Sequence, residues 1–234
     1  MDKLYIVMPA YNEAANIRKV VEDWYPILSF GSEESRLVIS DVGSTDDTHK
    51  ILEELQKEYD KLVIFSECEK QHGPKLIAMY KYAYEQGADW IFQTDSDGQT
   101  NPDEFEAFWE ARNTYDVVCG DRQVRGDGAA RAFIEKVVCM LLSMYYRVKV
   151  PDANAPFRLM KASVVNKYMD RFEPDYNIPN IMLTTFFVYY QDKIVFRNIS
   201  FKPRQGGENS INVPKIVKIG IKALSDFRQF KKGM

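Results

Sequence analysis

Trp90-Ile91-Phe92-Gln93-Thr94-Asp95-Ser96-Asp97-Gly98-Gln99 sets two carboxylates, one residue apart, just beyond a short apolar run. Trp90–Gln93 has the length and character of a buried strand. Two unpaired carboxylates at the end of such a strand are costly to keep there. A hard divalent cation removes that cost, and oxygen ligands suit Mg²⁺ or Mn²⁺. Such an ion keeps positions open for water and substrate phosphates. The competing reading is a plain chain reversal at Asp97-Gly98. The neighbourhood of the motif decides between the two.

Toward the N-terminus, strands at Leu4–Met8, Leu37–Ser40 and Leu62–Phe65 alternate with helices at Asn16–Tyr25, Thr45–Tyr59 and Lys75–Gln86. After the motif, Pro102 opens a helix to about Asn113, at a first-turn position that tolerates proline, and Tyr115–Cys119 is a fifth strand. Alternation at this spacing predicts an α/β fold with a parallel, doubly wound sheet flanked by helices. The second half is less regular. It reads as helices over Arg131–Arg147, Lys161–Met169 and Pro179–Tyr190, a strand over Ile194–Phe201, and an amphipathic helix over Val213–Phe230. No repeat or low-complexity linker divides the chain. One domain is expected over residues 1–210, followed by a basic amphipathic helix within 211–234.

In an open parallel sheet, ligands bind beyond the carboxyl ends of the strands. Four polar loops fall there: Pro9-Ala10-Tyr11-Asn12-Glu13, Asp41-Val42-Gly43-Ser44-Thr45-Asp46, His72-Gly73-Pro74-Lys75, and the Asp95–Gln99 motif. That company favours the cation reading of Asp95 and Asp97. Ser44 or Thr45 is placed to cap the following helix. Asp41 is left over, and a carboxylate there can accept hydrogen bonds from a ribose or a base. Lys75 or His72 would meet the donor, Lys75 by lending charge to a diphosphate; a bland surface loop is the alternative.

Together these segments resemble family 2 glycosyltransferases of the GT-A fold, in order and in spacing, over roughly the first half of the chain. Asp152-Ala153-Asn154-Ala155-Pro156-Phe157-Arg158 is similar to the acceptor-side segment of the dolichyl-phosphate mannose synthase-like, or polyprenyl-phosphate, branch, with Pro156 where that pattern has glycine. Arg204-Gln205-Gly206-Gly207-Glu208-Asn209-Ser210 is similar to the glycine-serine loop of the same branch. The resemblance implies an inverting, metal-dependent transferase of glycan or cell-envelope synthesis that uses a nucleotide-diphosphate sugar. It implies donor contacts from Pro9, Ala10, Tyr11, Glu13, Asp41, Lys75, Asp95 and Arg204. Mg²⁺ or Mn²⁺ would be held by Asp97 with Asp95 and Gln99, and would neutralise the leaving diphosphate. Asp152 would be the base or acceptor-positioning group, and Arg158 would act beside it. Arg122, Arg125 and Arg131 are further candidates for a phosphate-bearing acceptor. Where the family has two consecutive acidic residues before Gly-Ser, this chain has Asp41-Val42, which bears on base recognition.

Composition sets the outer limits. At 45% hydrophobic, 234 residues can bury a full core. A net charge of −3 does not point to nucleic acid. The charge is uneven, however. Residues 211–234 carry Lys215, Lys218, Lys222, Arg228, Lys231 and Lys232 against Asp226. With Ile216, Ile219, Ala223, Phe227 and Phe230 as an apolar stripe, that segment reads as an interfacial helix lying on a membrane surface. Its other reading is a helix packed on the body. Cys68, Cys119 and Cys139 lack metal-type spacing and imply reduced thiols. The chain opens on a strand rather than a signal peptide, and its apolar run Val137–Tyr146 is about half a membrane span. The expected location is therefore cytoplasmic, peripheral on the inner membrane face, with a lipid-phosphate acceptor. Two alternatives are a catalytically weak nucleotide-sugar-binding protein and a transferase using a soluble saccharide. A nucleotidyltransferase would need a Gly-rich, Lys/Arg-bearing loop after the first strand, which Pro9–Glu13 is not.

Overall fold

The computed structural model describes residues 1–123, 129–203, 226–228, 230 and 231, the side chains of 129–131 excepted. The strands are β1 (Leu4–Pro9), β2 (Arg36–Ser40), β3 (Leu62–Ile64), β4 (Trp90–Thr94), β5 (Val117–Asp121), β6 (Phe157–Lys161) and β7 (Ile194–Asn198). The helices are α1 (Ile17–Trp24), α2 (Thr48–Glu58), α3 (His72–Glu85), α4 (Phe105–Ala111), α5 (Ala129–Tyr146), α6 (Ala162–Met169) and α7 (Pro179–Tyr189). They surround one seven-stranded sheet of order β3-β2-β1-β4-β6-β5-β7.

β1, β2, β3 and β4 are mutually parallel, as alternation with helices requires. The sheet is not parallel throughout. β6 runs antiparallel between β4 and β5, with Gln93 opposite Arg158, and β7 extends β5 in parallel. The sequence reading had no strand at Phe157–Lys161. A buried arginine at its second position masks the apolar run that marks a sheet-centre strand. α3 begins at His72, earlier than expected. Pro74 sits in the first turn, where no N–H is needed. Gly73 admits close packing there, since a Cβ would lie 2.3 Å from the Tyr176 carbonyl oxygen.

Strand side chains alternate between two cores. Tyr5, Val7, Val38, Ile91, Val117, Cys119 and Met160 join α3, α5, α6 and α7 on one face. Leu4, Ile6, Met8, Leu37, Ile39, Phe92, Val118 and Leu159 join α1, α2 and α4 on the other. The carboxyl ends of β1, β2, β3 and β4 therefore share one rim of the sheet.

Most of the expected C-terminal helix lies outside the described residues. Where it is described, Phe227 is buried and the Phe230 ring sits 5.3 Å from that of Tyr176 and 5.6 Å from that of Phe186. Tyr146 donates its hydroxyl to the Phe227 carbonyl at 2.6 Å. These two members of the apolar stripe pack on the body and do not face a membrane. Among the described residues, no helix is long and apolar enough to cross a membrane.

Candidate functional site

The loops at this rim are laced together. Asn12, with a left-handed φ of 54°, donates its backbone N–H to Ser44 Oγ at 3.1 Å. Its side-chain oxygen accepts from the Thr45 N–H at 2.8 Å. The expected helix caps, Ser44 and Thr45, thus join the first loop to the second. The side chain that ties down the start of α2 belongs instead to Asp46, one residue before the N-cap Asp47. Asp46 Oδ1 accepts from the Thr48 N–H at 3.1 Å, and its Oδ2 accepts from the Ala14 N–H at 3.1 Å. Burial pushes the Asp46 carboxyl up, but these bonds and that from the Thr48 hydroxyl outweigh it and hold it below its ordinary value. The buried Glu13 accepts from the Asn16 amide at 2.8 Å, and its backbone N–H donates to Thr48 Oγ1 at 2.8 Å. Pro9 and Ala10 offer their carbonyls inward, to the Ser96 hydroxyl (2.9 Å) and to Lys75 (2.5 Å). Tyr11 is exposed at the mouth of the site.

Asp41 is buried at the end of β2, and His49 Nδ1 lies 3.1 Å from its Oδ2. His49, in the first turn of α2, was not singled out from the sequence. Nothing in a lone histidine on a polar helix face announces a partner eight residues earlier. Val42, beside Asp41, is half-buried, so it is not a core residue held by packing. Gly43 is needed where it stands, with φ +85° and a would-be Cβ 2.7 Å from Lys70 Cβ.

Asp95 and Asp97 are both half-buried just beyond β4. Asp97 Oδ1 accepts from the Gln99 N–H at 3.2 Å. Asp95 Oδ1 lies 3.3 Å from His72 Nε2 and accepts from the Gln93 amide at 3.2 Å. Behind Gln93 runs a buried chain. The Asn180 amide donates to Gln93 Oε1 at 3.0 Å, and the Tyr80 hydroxyl donates to Asn180 Oδ1 at 2.9 Å. Neither Gln93 nor Asn180 was foreseen, because the bond that joins them spans 87 residues of sequence. Gln99, the third expected metal ligand, has its amide nitrogen engaged by the backbone. It is buried, and its amide donates to the Lys202 carbonyl at 2.7 Å, tying the motif to the chain after β7. Among the described residues, no three His, Cys, Asp or Glu side chains cluster to hold a metal by themselves. Two partly exposed carboxylates fit a hard cation that takes its other ligands from water and substrate oxygens.

Lys75 is buried, and its ammonium grips the Ala10 carbonyl. Burial pushes its pKa down from 10.5 to about 8, while nearby Cys68 and Asp41 pull the other way. The protein stabilises the neutral amine relative to the unfolded chain. The unfolded state therefore binds more protons between about pH 8 and 10.5, and stability rises with pH in that window. Melting curves of the native chain and Lys75→Met should show the native-minus-variant difference growing from pH 8 to pH 10. A flat difference would rule out a depressed Lys75.

The expected acceptor residues are placed differently from expectation. Asp152 is buried at 3% exposure and clasped by Arg122, with Nε–Oδ2 at 2.7 Å and Nη2–Oδ1 at 2.9 Å. Glu135 Oε2 lies 3.8 Å from the same guanidinium. A carboxylate held on both oxygens is not poised to take a proton from an acceptor. Arg158 is fully buried and donates to the carbonyls of Ala155 (3.0 Å), Asn180 (3.2 Å) and Ala153 (3.4 Å) and to the Thr184 hydroxyl (3.3 Å). It shapes the 152–156 loop from within and does not reach an acceptor phosphate. Arg204 and Arg125 lie outside the described residues, as does the side chain of Arg131. Cys68, Cys119 and Cys139 are free thiols, as expected.

The fold matches known proteins. Mycobacterium tuberculosis glucosyl-3-phosphoglycerate synthase, solved in complex with Mn²⁺, UDP-glucose and phosphoglyceric acid, superposes with a TM-score of 0.71 at 19% identity, covering 100% of this chain and 80% of that one. The fold is thus GT-A. An undecaprenyl-phosphate 4-deoxy-4-formamido-L-arabinose transferase from Shewanella sediminis is 27% identical over 180 residues, 76% of this chain and 54% of its own. A UDP-N-acetylglucosamine–dolichyl-phosphate N-acetylglucosaminyltransferase from Methanococcus voltae is 35% identical over 117 residues, 44% of this chain and 45% of its own. The chain spans about half the length of these relatives. The glycosyl transferase family 2 model matches residues 5–169, which takes in the three rim loops, the Asp95–Asp97 motif and the acceptor-side segment, and the chain belongs to that family.

Proposed function

We propose that the chain moves a sugar, with inversion, from a nucleotide-diphosphate donor to a phosphate-bearing lipid acceptor. The observation that carries this reading is the pair Asp95 and Asp97 at the same sheet rim as Asp41, within loops bonded to one another. The names of the relatives, both transferases to polyprenyl phosphates, support the acceptor class.

In this reading Asp41 receives the ribose or base, with His49 holding its carboxylate in place. Pro9, Ala10, Tyr11 and Glu13 form the floor and mouth beneath the nucleoside. Lys75 acts by fixing the Ala10 carbonyl. Asp97 and Asp95 would hold Mg²⁺ or Mn²⁺, which supplies charge neutralisation for a departing diphosphate. Gln93, backed by Asn180 and Tyr80, aims the Asp95 carboxylate. Arg204 would add charge to the donor phosphates. A phosphate acceptor is ionised at neutral pH and needs no base, which accords with Asp152 being engaged by Arg122. Asp152, Arg122 and Arg158 become positioning residues that shape the acceptor loop, and orientation carries much of the rate. Residues 1–210 form the catalytic unit, 211–234 an added element, and the cytoplasmic face of a membrane is the proposed location.

The test is a thermal-shift screen with UDP-, GDP- and dTDP-sugars with and without Mn²⁺, followed by transfer to undecaprenyl phosphate or a soluble saccharide. Metal-dependent shifts followed by lipid-linked product support the reading. Transfer only to the soluble sugar overturns the acceptor class. Val42 favours a second reading, a donor-binding protein with weak turnover, which metal-dependent shifts without any product would support.

Val42 also gives a direct prediction. A carboxylate there adds one charged hydrogen-bond acceptor next to Asp41, so Val42→Asp should tighten the preferred donor by roughly tenfold. Because the side chain is half-buried, the cost to stability should stay within about 1 kcal/mol. Calorimetry showing unchanged affinity across all three bases would make Val42 a neutral choice.

A further inference from the structure

Helix α5 carries an apolar stripe that is exposed among the described residues. Phe133, Met140 and Met144 are 68%, 54% and 70% exposed, and half-buried Val137 lies between them. The spacing 133, 137, 140, 144 keeps all four within roughly 60° of arc on a 3.6-residue helix. The opposite side of the same helix is the packed one, with Leu142 and Tyr146 buried in the core. The helix is thus amphipathic in an unusual sense: one apolar face is inside and another points at solvent.

Charge says what covers the outer face. Lys136, Arg147 and Lys149 are exposed around the stripe. The only acid between residues 129 and 150 is Glu135, and it is turned inward. There it accepts from the Ala153 N–H at 2.8 Å and lies 3.8 Å from the Arg122 guanidinium. On a chain of net charge −3, the exposed charges that residues 132–150 set beside this apolar patch are all cationic. That combination is matched by an anionic bilayer surface, where apolar side chains enter the acyl boundary and lysines meet headgroups. Position agrees with charge. Glu135 joins α5 directly to the 152–156 loop. An apolar hollow lined by Cys139, Ser143, Val148, Lys149, Val150 and Pro151 continues from the helix toward that loop.

We propose that α5 is the membrane-docking element, seating Phe133, Val137, Met140 and Met144 in an anionic bilayer so that the acceptor loop faces the lipid surface. The inference rests on the lipid-phosphate reading for its purpose, but its test does not. The full chain is floated with mixed phosphatidylcholine–phosphatidylglycerol vesicles, beside Met140→Asp/Met144→Asp and Lys136→Glu/Lys149→Glu. All substituted residues are exposed, so folding should be retained, and a cooperative melting curve like that of the native chain checks it. The methionine variant should partition at least about tenfold more weakly. The lysine variant should lose binding mainly at low salt. Equal flotation of the methionine variant and the native chain overturns the proposal, as does a native chain that ignores these vesicles. Light scattering identifies one such failure: a native dimer made monomeric by the methionine pair would mark the stripe as a contact between copies. Transfer to a short, water-soluble polyprenyl phosphate is assayed in parallel. Its absence sinks the acceptor reading and leaves the flotation result standing, whereas transfer with unchanged flotation sinks only the role of α5.

Discussion

Asp97→Ala should abolish metal-dependent nucleotide-sugar binding and leave the fold intact. Asp97 is half-buried in the loop beyond β4, where its Oδ1 accepts from the Gln99 N–H at 3.2 Å. Losing one hydrogen bond of that kind costs about 0.5–1.5 kcal/mol, a small shift in melting temperature. Losing one of two carboxylates that would hold a divalent cation has a different scale. Donor affinity in Mn²⁺ should fall at least a hundredfold, about 2.8 kcal/mol at roughly 1.4 kcal/mol per decade. Asp97→Asn separates the two effects. It retains an oxygen for the Gln99 N–H but not the charge, so it should melt like the native chain and still fail to bind. Calorimetry with and without Mn²⁺ reads both variants. If either binds donor as the native chain does, the motif is a turn and not a metal site.

How much of this was open to a reader of the sequence depended on the range of each interaction. β1 to β5 were legible because strands buried on both faces read as short apolar runs, and polar residues crowd where such runs end. Asp41, Asp95 and Asp97 were found that way, since a carboxylate at the end of a buried strand stands out locally. β6 was not legible, because Arg158 interrupts its apolar run. The carbonyls that make a buried guanidinium tolerable belong to Ala155, Ala153 and Asn180. Spacing could not reveal that Asn180, on α7, bridges Tyr80 of α3 to Gln93 of β4. For the same reason Asp152 was read by type, as a free acid, when its character is set by Arg122, thirty residues earlier in the chain. The C-terminal apolar stripe had two readings from sequence alone. Packing of Phe227 and Phe230 on the body decides those two positions, and it moves attention to the uncovered face of α5.

Asp152→Ala should be the most destabilising single change in the acceptor region, and it should act before any substrate is added. Arg122 and Asp152 are 8% and 3% exposed and share two short hydrogen bonds. Removing one partner leaves the other charge buried, a loss of about 3–5 kcal/mol. For a chain of this size, roughly 2–4 °C accompanies each kcal/mol, so the melting temperature should drop by roughly 6–20 °C. Glu135, 3.8 Å from the guanidinium, can take up part of the charge and pull the result toward the smaller value. Asp152→Asn should cost less, because the amide oxygen still accepts one guanidinium N–H. Arg122→Met/Asp152→Leu should recover a good part of the loss, since a buried ion pair replaced by apolar side chains of similar size is often nearly neutral. A catalytic base behaves differently: its removal lowers kcat, alters the pH profile of kcat and leaves the melting curve in place. Asp152→Ala with native stability and collapsed turnover would return Asp152 to the reaction itself. Loss of stability, with recovery in the apolar double variant, makes the pair the clasp that holds the acceptor loop against α5.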